Sequence, residues 1–223
     1  MSRRVVVLGT GGTSVDIVDT LMDLNDAGGS EHYDCVGYLD DDPQTHGVHF
    51  LGRPVLGPFA AAADLTDCWF VNGIGSPASF RGKPALLARA GIPDERYLTL
   101  VHPSAAVSRH ASLGAGTVIL QNATVTANAA LGRHVVVLPN SVVSHDVIVG
   151  DYSCIAGGVC LSGGVEIGRG CYLGTRSVVI ENARVGDGTL VAMGSVVRSC
   201  VPDDVLVAGN PATVKRHLSD RSS

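Results

Sequence analysis

The 223-residue sequence has few aromatic side chains, no run of basic residues and no long apolar segment. Aromatic residues make up 4% of the chain, so the interior must be filled mainly by aliphatic side chains. The formal net charge is −5 without a basic cluster, which argues against nucleic acid or an anionic membrane surface as a partner. Because no apolar stretch is long enough to cross a bilayer, we expect no insertion into a membrane.

The six cysteines also lack a CxxC pair or any other spacing typical of metal ligands. Scattered cysteines of this kind are more typical of reduced thiols than of a disulfide framework. The composition therefore favours a soluble cytoplasmic protein with free cysteines.

Aliphatic residues, in contrast, recur at every sixth position from Val101 to Val197, seventeen times without a gap. Such a strict internal period indicates a repeat architecture. A period of six fits neither an amphipathic helix nor an uninterrupted strand. It fits a coil of short strands, in which each hexad directs one aliphatic residue and, four positions later, one small residue into a narrow interior.

The third position after each aliphatic residue predicts where the coil turns. From Gly116 to Gly194, glycine, asparagine, aspartate or histidine occupies twelve of these fourteen positions. These residue types most readily adopt a positive φ, which turns the chain at a corner. Three corners close a triangular coil of eighteen residues. Coils stacked at the spacing of β-strands predict a parallel prism roughly 25–30 Å tall.

The first hundred residues alternate between apolar strands and helices, which predicts a small parallel α/β domain. Strands are expected at residues 4–8, 33–39 and 69–75, and helices at residues 15–24 and 80–90. The predicted domains are residues 1–100 and 101–202, followed by a C-terminal tail at residues 203–223. The glycine loop Gly9-Thr-Gly-Gly-Thr-Ser14 precedes the first helix, whose N-terminal N–H groups are suited to phosphate.

The ligand of this loop is open to three interpretations. Ser14 stands where the NAD fingerprint has its third glycine, and the acidic pair Asp40-Asp41 follows later than usual, so a dinucleotide is disfavoured. A mononucleotide or nucleotide-sugar fits a single half-Rossmann unit better. The remaining alternative is a glycine turn without a ligand.

Hexads such as Leu113-Gly-Ala-Gly-Thr-Val and Val185-Gly-Asp-Gly-Thr-Leu resemble those of hexapeptide-repeat acyltransferases. The order of a Rossmann-like lobe, Val101-His-Pro-Ser, uninterrupted hexads and Val207-Ala-Gly-Asn-Pro-Ala212 resembles the sialic acid O-acetyltransferase and amino-sugar N-acetyltransferase (NeuD/PglD-type) family. This resemblance implies an α/β lobe followed by an all-β left-handed parallel β-helix. It also implies a homotrimer with acyl-CoA between neighbouring prisms.

The family transfers acetyl from acetyl-CoA to a sugar, commonly to the 4-amino group of a nucleotide-linked deoxysugar. Its catalytic histidine and the acidic residue that follows match His145 and Asp146. His145 lies at a predicted corner with Ala127 and Gly163 one coil away, which leaves room for the imidazole. It would accept a proton from the amine, Asp146 would fix its tautomer, and the Gly163 N–H would hold the oxyanion. The alternative is a solvated histidine beside an aspartate that favours positive φ.

The resemblance also assigns residues to the substrates. For the nucleotide-linked amino sugar they are Gly11, Gly12 and Thr13 beside the phosphates, Asp40 and Asp41 beside the base or ribose, and Gly75 and Ser76 in a second loop. For acetyl-CoA they are Cys154, Thr175 and Met193, with Gly209, Pro211 and Ala212 near the adenine. Cys154 is a departure, because some relatives have a histidine there. No metal is expected, because no histidine triplet shows the spacing of the zinc-binding β-helix proteins.

Two other functions stay open. One is O-acetylation of sialic acid or a related sugar, or transfer of another acyl group. The other is a non-catalytic trimeric scaffold that binds a nucleotide. The residues do not distinguish UDP, GDP and dTDP.

Overall fold

The computed structural model describes residues 2–218, which form an α/β lobe followed by a triangular prism of short strands. The lobe consists of β1 (Ser2–Leu8), α1 (Gly12–Asp26), β2 (His32–Leu39), β3 (His49–Phe50), β4 (Arg53–Gly57), β5 (Trp69–Asn72) and α2 (Lys83–Ala90). Three short 3₁₀ helices span Pro43–Thr45, Phe59–Asp64 and Asp94–Arg96. The sheet has the order β3-β4-β2-β1-β5 and is parallel except where β3 meets β4.

The elements of the lobe differ from the sequence prediction in four ways. The first helix spans Gly12–Asp26 rather than residues 15–24, so it begins within the predicted glycine loop. The strand predicted at residues 69–75 ends at Asn72, because the Asn72 Oδ1 accepts the Ile74 N–H at 2.9 Å and turns the chain. The second helix begins at Lys83 rather than residue 80, after a turn held by Ser76 and Ser79. Strands β3 and β4 were not predicted, since both are short and lie among glycines.

The hexads form three parallel ladders in which paired residues are eighteen apart, so the predicted prism is confirmed. The first face contains β6 (Leu100–Val101), β9 (Val118–Ile119), β12 (Val136–Val137), β15 (Cys154–Ile155), β18 (Tyr172–Leu173) and β21 (Leu190–Val191). The second face contains β7 (Ala106–Val107), β10 (Thr124–Val125), β13 (Val142–Val143), β16 (Cys160–Leu161), β19 (Val178–Val179) and β22 (Val196–Val197). The third contains β8 (Ser112–Leu113), β11 (Ala130–Leu131), β14 (Ile148–Val149), β17 (Glu166–Ile167) and β20 (Arg184–Val185).

The predicted corner residues confirm the turning mechanism. All fourteen positions from Gly116 to Gly194 have a positive φ, between +55° and +69°. The aliphatic residue of each hexad packs into one continuous core along the prism axis. Most buried hydroxyls at the small positions are also paired, as when Ser141 Oγ donates to the Ala156 carbonyl at 2.9 Å, whereas the Ser177 hydroxyl has no partner within residues 2–218. Apolar burial and internally paired polar groups together stabilise the coil.

The lobe packs against the first face of the prism. Leu98 and Val71 of the lobe share a buried cluster with Val118 and Val136 of that face. Lys83 is completely buried at this junction, and its Nζ donates to the carbonyl of His134 at 2.6 Å. Burial lowers the pKa of Lys83 to about 8. The lobe is therefore fixed relative to the first face.

The chain after the last coil continues this face. Strand β23 (Val205–Gly209) pairs in parallel with β21, and β24 (Ala212–His217) returns antiparallel to it. Residues 203–218 of the predicted tail thus form a hairpin on the prism, and residues 219–223 lie outside the described part. The domain boundaries at residues 100 and 202 stay a prediction. Within residues 2–218 no helix is both long and apolar enough to span a membrane.

Candidate active site

A cleft of about 280 Å³ opens where the glycine loop meets the carboxyl ends of β1, β2 and β5. All seven residues assigned to the nucleotide-sugar line it, namely Gly11, Gly12, Thr13, Asp40, Asp41, Gly75 and Ser76. Ligands of open α/β sheets bind at this edge, where the N-terminus of a helix faces the loop. The structure therefore brings the predicted nucleotide residues together, although their role stays a prediction.

The two acidic residues of the cleft are held by neighbouring groups. Asp40 accepts the Thr10 hydroxyl at 2.7 Å, which ties the glycine loop to the end of β2. Asp41 accepts the backbone N–H of Phe59 at 2.9 Å and forms an ion pair with Arg89. Both carboxylates are thus oriented by these contacts.

Ser14, at the position of the third glycine in the dinucleotide fingerprint, packs against a glycine that follows β5. Its hydroxyl lies against Gly73, where an added Cβ would come within 2.1 Å of the Ser14 Oγ and 2.9 Å of the Leu8 carbonyl. The close approach that the fingerprint glycine usually allows is here made possible by Gly73 instead. The sequence prediction missed this pairing, since the two residues lie far apart in the chain.

His145 and Asp146 lie on the corner between the second and third faces. We call this edge the second-third corner, and its positive-φ residues are Asn128, Asp146, Gly164 and Asn182. The His145 side chain is 67% exposed, and its Nδ1 lies 2.8 Å from the Asp146 Oδ2. The other oxygen of Asp146 accepts the Asn128 amide at 3.0 Å. A hydrogen bond from His145, and to a lesser extent one from Asn128, holds the pKa of Asp146 below its usual range.

Gly163 provides the space that the imidazole occupies. A Cβ built on Gly163 would lie 2.5 Å from His145 Cε1 and 2.7 Å from Nε2, far inside van der Waals contact. Any larger residue would push the ring away from the corner. The imidazole therefore lies directly over the Gly163 backbone, one coil further along the prism.

The residues assigned to acetyl-CoA divide into two groups. Thr175 and Met193 are exposed one coil apart on the corner between the first and second faces, the first-second corner. The turn containing Gly209, Pro211 and Ala212 lies at the end of this edge, where the Gly209 N–H reaches the hydroxyl of Ser195 at 3.2 Å. These residues therefore form one strip along the prism.

Cys154 is separate from this strip. It is completely buried on the first face under the lobe, and its thiol donates to the Gly75 carbonyl at 3.3 Å. Burial raises the pKa of this thiol to about 11, so it stays protonated near neutral pH. The assigned contact between Cys154 and acetyl-CoA stays a prediction, and the burial of the side chain argues against it.

Within one chain the two halves of the assigned site lie apart. The lobe covers the first face, whereas the second-third corner that carries His145 is the one corner not bordering that face. A groove of about 410 Å³ on the second face, lined by small residues, ends at Ala127, one coil before His145. The imidazole is thus open to a ligand that approaches from outside its own chain.

The second face itself is unusually apolar on its outer side. The outward positions of its later strands carry Val142, Cys160, Val178 and Val196. Outward positions of a solvated sheet are normally polar, so such a face is typical of a contact surface. Among residues 2–218, no group of three or more His, Cys, Asp or Glu side chains is placed to hold a metal ion.

A family model described as "Bacterial transferase hexapeptide (six repeats)" matches residues 128–163 and 164–199. Among curated proteins, the carboxysome assembly protein CcmM of Synechocystis sp. is 36% identical over 77 residues, covering 34% of this chain and 11% of that protein. The chain spans between 11% and 28% of the length of the curated relatives that it matches. The family-model match lies within the prism.

Two solved structures match along almost the whole chain. The acetyltransferase domain of PglB from Neisseria gonorrhoeae, in complex with acetyl coenzyme A, has a TM-score of 0.82 and 29% identity, covering 96% of this chain and 100% of that one. PerB from Caulobacter crescentus, in complex with CoA and GDP-perosamine, has a TM-score of 0.81 and 28% identity, covering 95% and 97%. The α/β lobe, the left-handed parallel β-helix and these similarities confirm the predicted resemblance of the chain to the NeuD/PglD-type family of hexapeptide-repeat acyltransferases.

Proposed function

We propose that the protein transfers acetyl from acetyl-CoA to the 4-amino group of a nucleotide-linked deoxysugar, with His145 as general base. The observation that carries the proposal is the exposed His145–Asp146 pair over Gly163 in a chain that matches a perosamine N-acetyltransferase over 95% of its length. The lobe cleft supports a nucleotide as the handle of the acceptor, because a phosphate can face the N-terminus of α1.

The contacts of His145 support the following proton transfers. Asp146 is ionised and accepts from Nδ1–H of His145, so the neutral ring carries its lone pair on Nε2. As the sugar amine attacks the thioester carbonyl, a C–N bond forms and Nε2 takes a proton from the nitrogen. Collapse of the tetrahedral intermediate breaks the C–S bond and releases CoA as a thiolate.

The backbone of Gly163 is proposed to hold the oxyanion, and the first-second corner is proposed to hold acetyl-CoA. The N–H of Gly163, directly beneath the imidazole, is proposed to donate to the oxyanion. Acetyl-CoA is proposed to lie along the strip of Thr175 and Met193, with its adenine near the turn at Gly209–Ala212. Acyl transfer by this route is direct, so no covalent acyl-enzyme forms.

The separation of these sites supports a homotrimer with shared active sites. His145 lies on one corner, the proposed acetyl-CoA strip lies on another, and the nucleotide cleft lies over the first face. A neighbouring copy packed through the apolar second face would bring its own cleft or strip to His145. Each active site is thus proposed to form between two copies of the chain, as a cyclic assembly requires.

The proposed function predicts a defined product. With acetyl-CoA and a panel of UDP-, GDP- and dTDP-linked 4-amino-6-deoxysugars, the protein should release CoA thiol with at least one sugar and form an amide. An assay of free thiol measures the release of CoA, and mass spectrometry detects the acetylated sugar. Treatment of the product with mild base then identifies the bond, since an ester is cleaved and an amide is not. An alkali-labile product would show O-acetylation instead. Tight nucleotide binding, with no release of CoA thiol in the presence of any of these sugars, would favour the non-catalytic scaffold.

A further inference from the structure

We propose that Asn128 is a positioning residue that holds the carboxylate of Asp146, and through it the imidazole of His145. The proposal rests on the proposed function of that pair. Asn128 lies on the second-third corner one coil before Asp146, and both have almost the same backbone, with φ of +61° and +60°. Its amide donates to one carboxylate oxygen at 3.0 Å, while the other oxygen is 2.8 Å from the imidazole.

Both oxygens of Asp146 therefore have a partner on this exposed corner. A solvated carboxylate with a single partner rotates freely and would leave the imidazole free to turn. With Asn128 on one oxygen and His145 on the other, the plane of the carboxylate is set. The Nδ1–H tautomer, which leaves Nε2 able to accept a proton, is then favoured.

An amide suits this position better than a cation would. A lysine or arginine at residue 128 would form an ion pair with Asp146 and weaken its support of the imidazolium. The Asn128 amide donates a hydrogen bond without adding charge. Asn128 thus orients the carboxylate and leaves its charge available to His145.

A purely backbone role for Asn128 is the competing explanation, since asparagine tolerates positive φ. The chain offers a matched control in Asn140, which has the same φ of +61° on the first-second corner. Within residues 2–218 the side chain of Asn140 makes no hydrogen bond, whereas that of Asn128 binds a carboxylate. A backbone role would make the two positions respond alike.

The test compares Asn128→Asp with Asn140→Asp. The first variant keeps the size and the φ tolerance of residue 128, removes the donor and places a second carboxylate beside Asp146. We expect its kcat at pH 7 to fall roughly tenfold, as for loss of an outer partner of a functional histidine, with KM for both substrates nearly unchanged. The added negative charge favours the imidazolium, so the acidic limb of the kcat profile should move to higher pH. Asn140→Asp should change neither.

Other ionisable groups near this corner are the same in both variants, so they cannot produce a difference between them. Arg109 and Glu181 stand two coils before and after His145, roughly 10 Å along the axis, and Glu166 lies on the neighbouring third face. Asp146 is the charged group in contact with the imidazole. A shift confined to Asn128→Asp therefore reports on the Asn128–Asp146–His145 chain.

A second measurement separates this proposal from the proposed function. NMR titration of the His145 ring in ¹³C-histidine-labelled protein, assigned with His145→Ala, needs no substrate. Asn128→Asp should raise the titration midpoint of His145, and Asn140→Asp should not. An identical midpoint and kcat profile in Asn128→Asp and the unmodified protein would overturn the role of Asn128. Lack of acetyl transfer by the unmodified protein would overturn the proposed function, and the NMR midpoint would then decide the coupling alone.

Discussion

Replacing His145 with alanine is expected to lower kcat by roughly 10²–10⁴-fold, the usual range for loss of a general base. The nitrogen of the sugar amine must lose a proton for the amide to form, and Nε2 of His145, exposed at the second-third corner, is proposed to accept it. Because the proposed contacts to the nucleotide and to CoA lie elsewhere, KM for both substrates should change little. Steady-state thiol release at saturating substrate measures the effect.

The control for this variant is His110→Ala. His110 is an exposed histidine on the same corner, two coils before Asp146, and it has no carboxylate partner among the hydrogen bonds of residues 2–218. Its removal should leave kcat unchanged. A His145→Ala protein that turns over at a near-normal rate would remove His145 from the mechanism.

Replacing Gly163 with alanine is the second change with a large expected effect. The new methyl group would fall 2.5 Å from Cε1 of His145, so the imidazole must leave its place over the coil. A displacement of about 1 Å at a reacting group can cost on the order of 10²-fold in rate. The variant keeps the backbone N–H that is proposed to bind the oxyanion, so this loss would come from the displaced ring.

Gly157 supplies a comparison in the same hexad position of another corner. A Cβ there would approach no atom closer than the Pro139 carbonyl, at 3.4 Å. Gly157→Ala should therefore fold and turn over normally, whereas Gly163→Ala should fold normally and lose kcat. Circular dichroism and thermal unfolding establish that both variants fold. Unchanged kcat in Gly163→Ala would show that the ring does not need the space over this glycine.

The prism could be predicted from sequence because its determinants are local and repeated. Each hexad specifies its own inward aliphatic residue and its own corner, as Asn122 and Gly164 illustrate with φ of +56° and +65°. Even Tyr152 and Arg176, which rarely adopt positive φ, follow the pattern set by their neighbours. A repeat therefore fixes residues that would be ambiguous alone.

The lobe and the details of the site depend on contacts between distant residues, which a local pattern does not encode. The pairing of Ser14 with Gly73 and the burial of Cys154 beneath Gly75 arise only when the lobe packs. The contact between Asn128 and Asp146 is long-range in sequence but follows the repeat. Asn128 precedes Asp146 by one coil of eighteen residues, so the repeat register contains the signal that identifies this contact.

In the proposed active site, a nucleotide-linked sugar held in the cleft of one copy of the chain meets His145 of another. Co-expression of two inactive variants tests this directly. His145→Ala lacks the base, and Gly12→Asp places a negative charge against the phosphates at a position where an added Cβ meets no atom within 4 Å. Neither variant alone should release CoA thiol.

In randomly mixed trimers, about a quarter of the interfaces would join an intact cleft to an intact His145, because a cyclic assembly pairs two different surfaces. The measurement is thiol release by the co-purified mixture, with each variant carrying a different affinity tag. We expect about a quarter of the activity of the unmodified protein. Activity no higher than that of either variant alone, in trimers shown to contain both chains, would contradict an active site formed by the cleft of one copy and His145 of another.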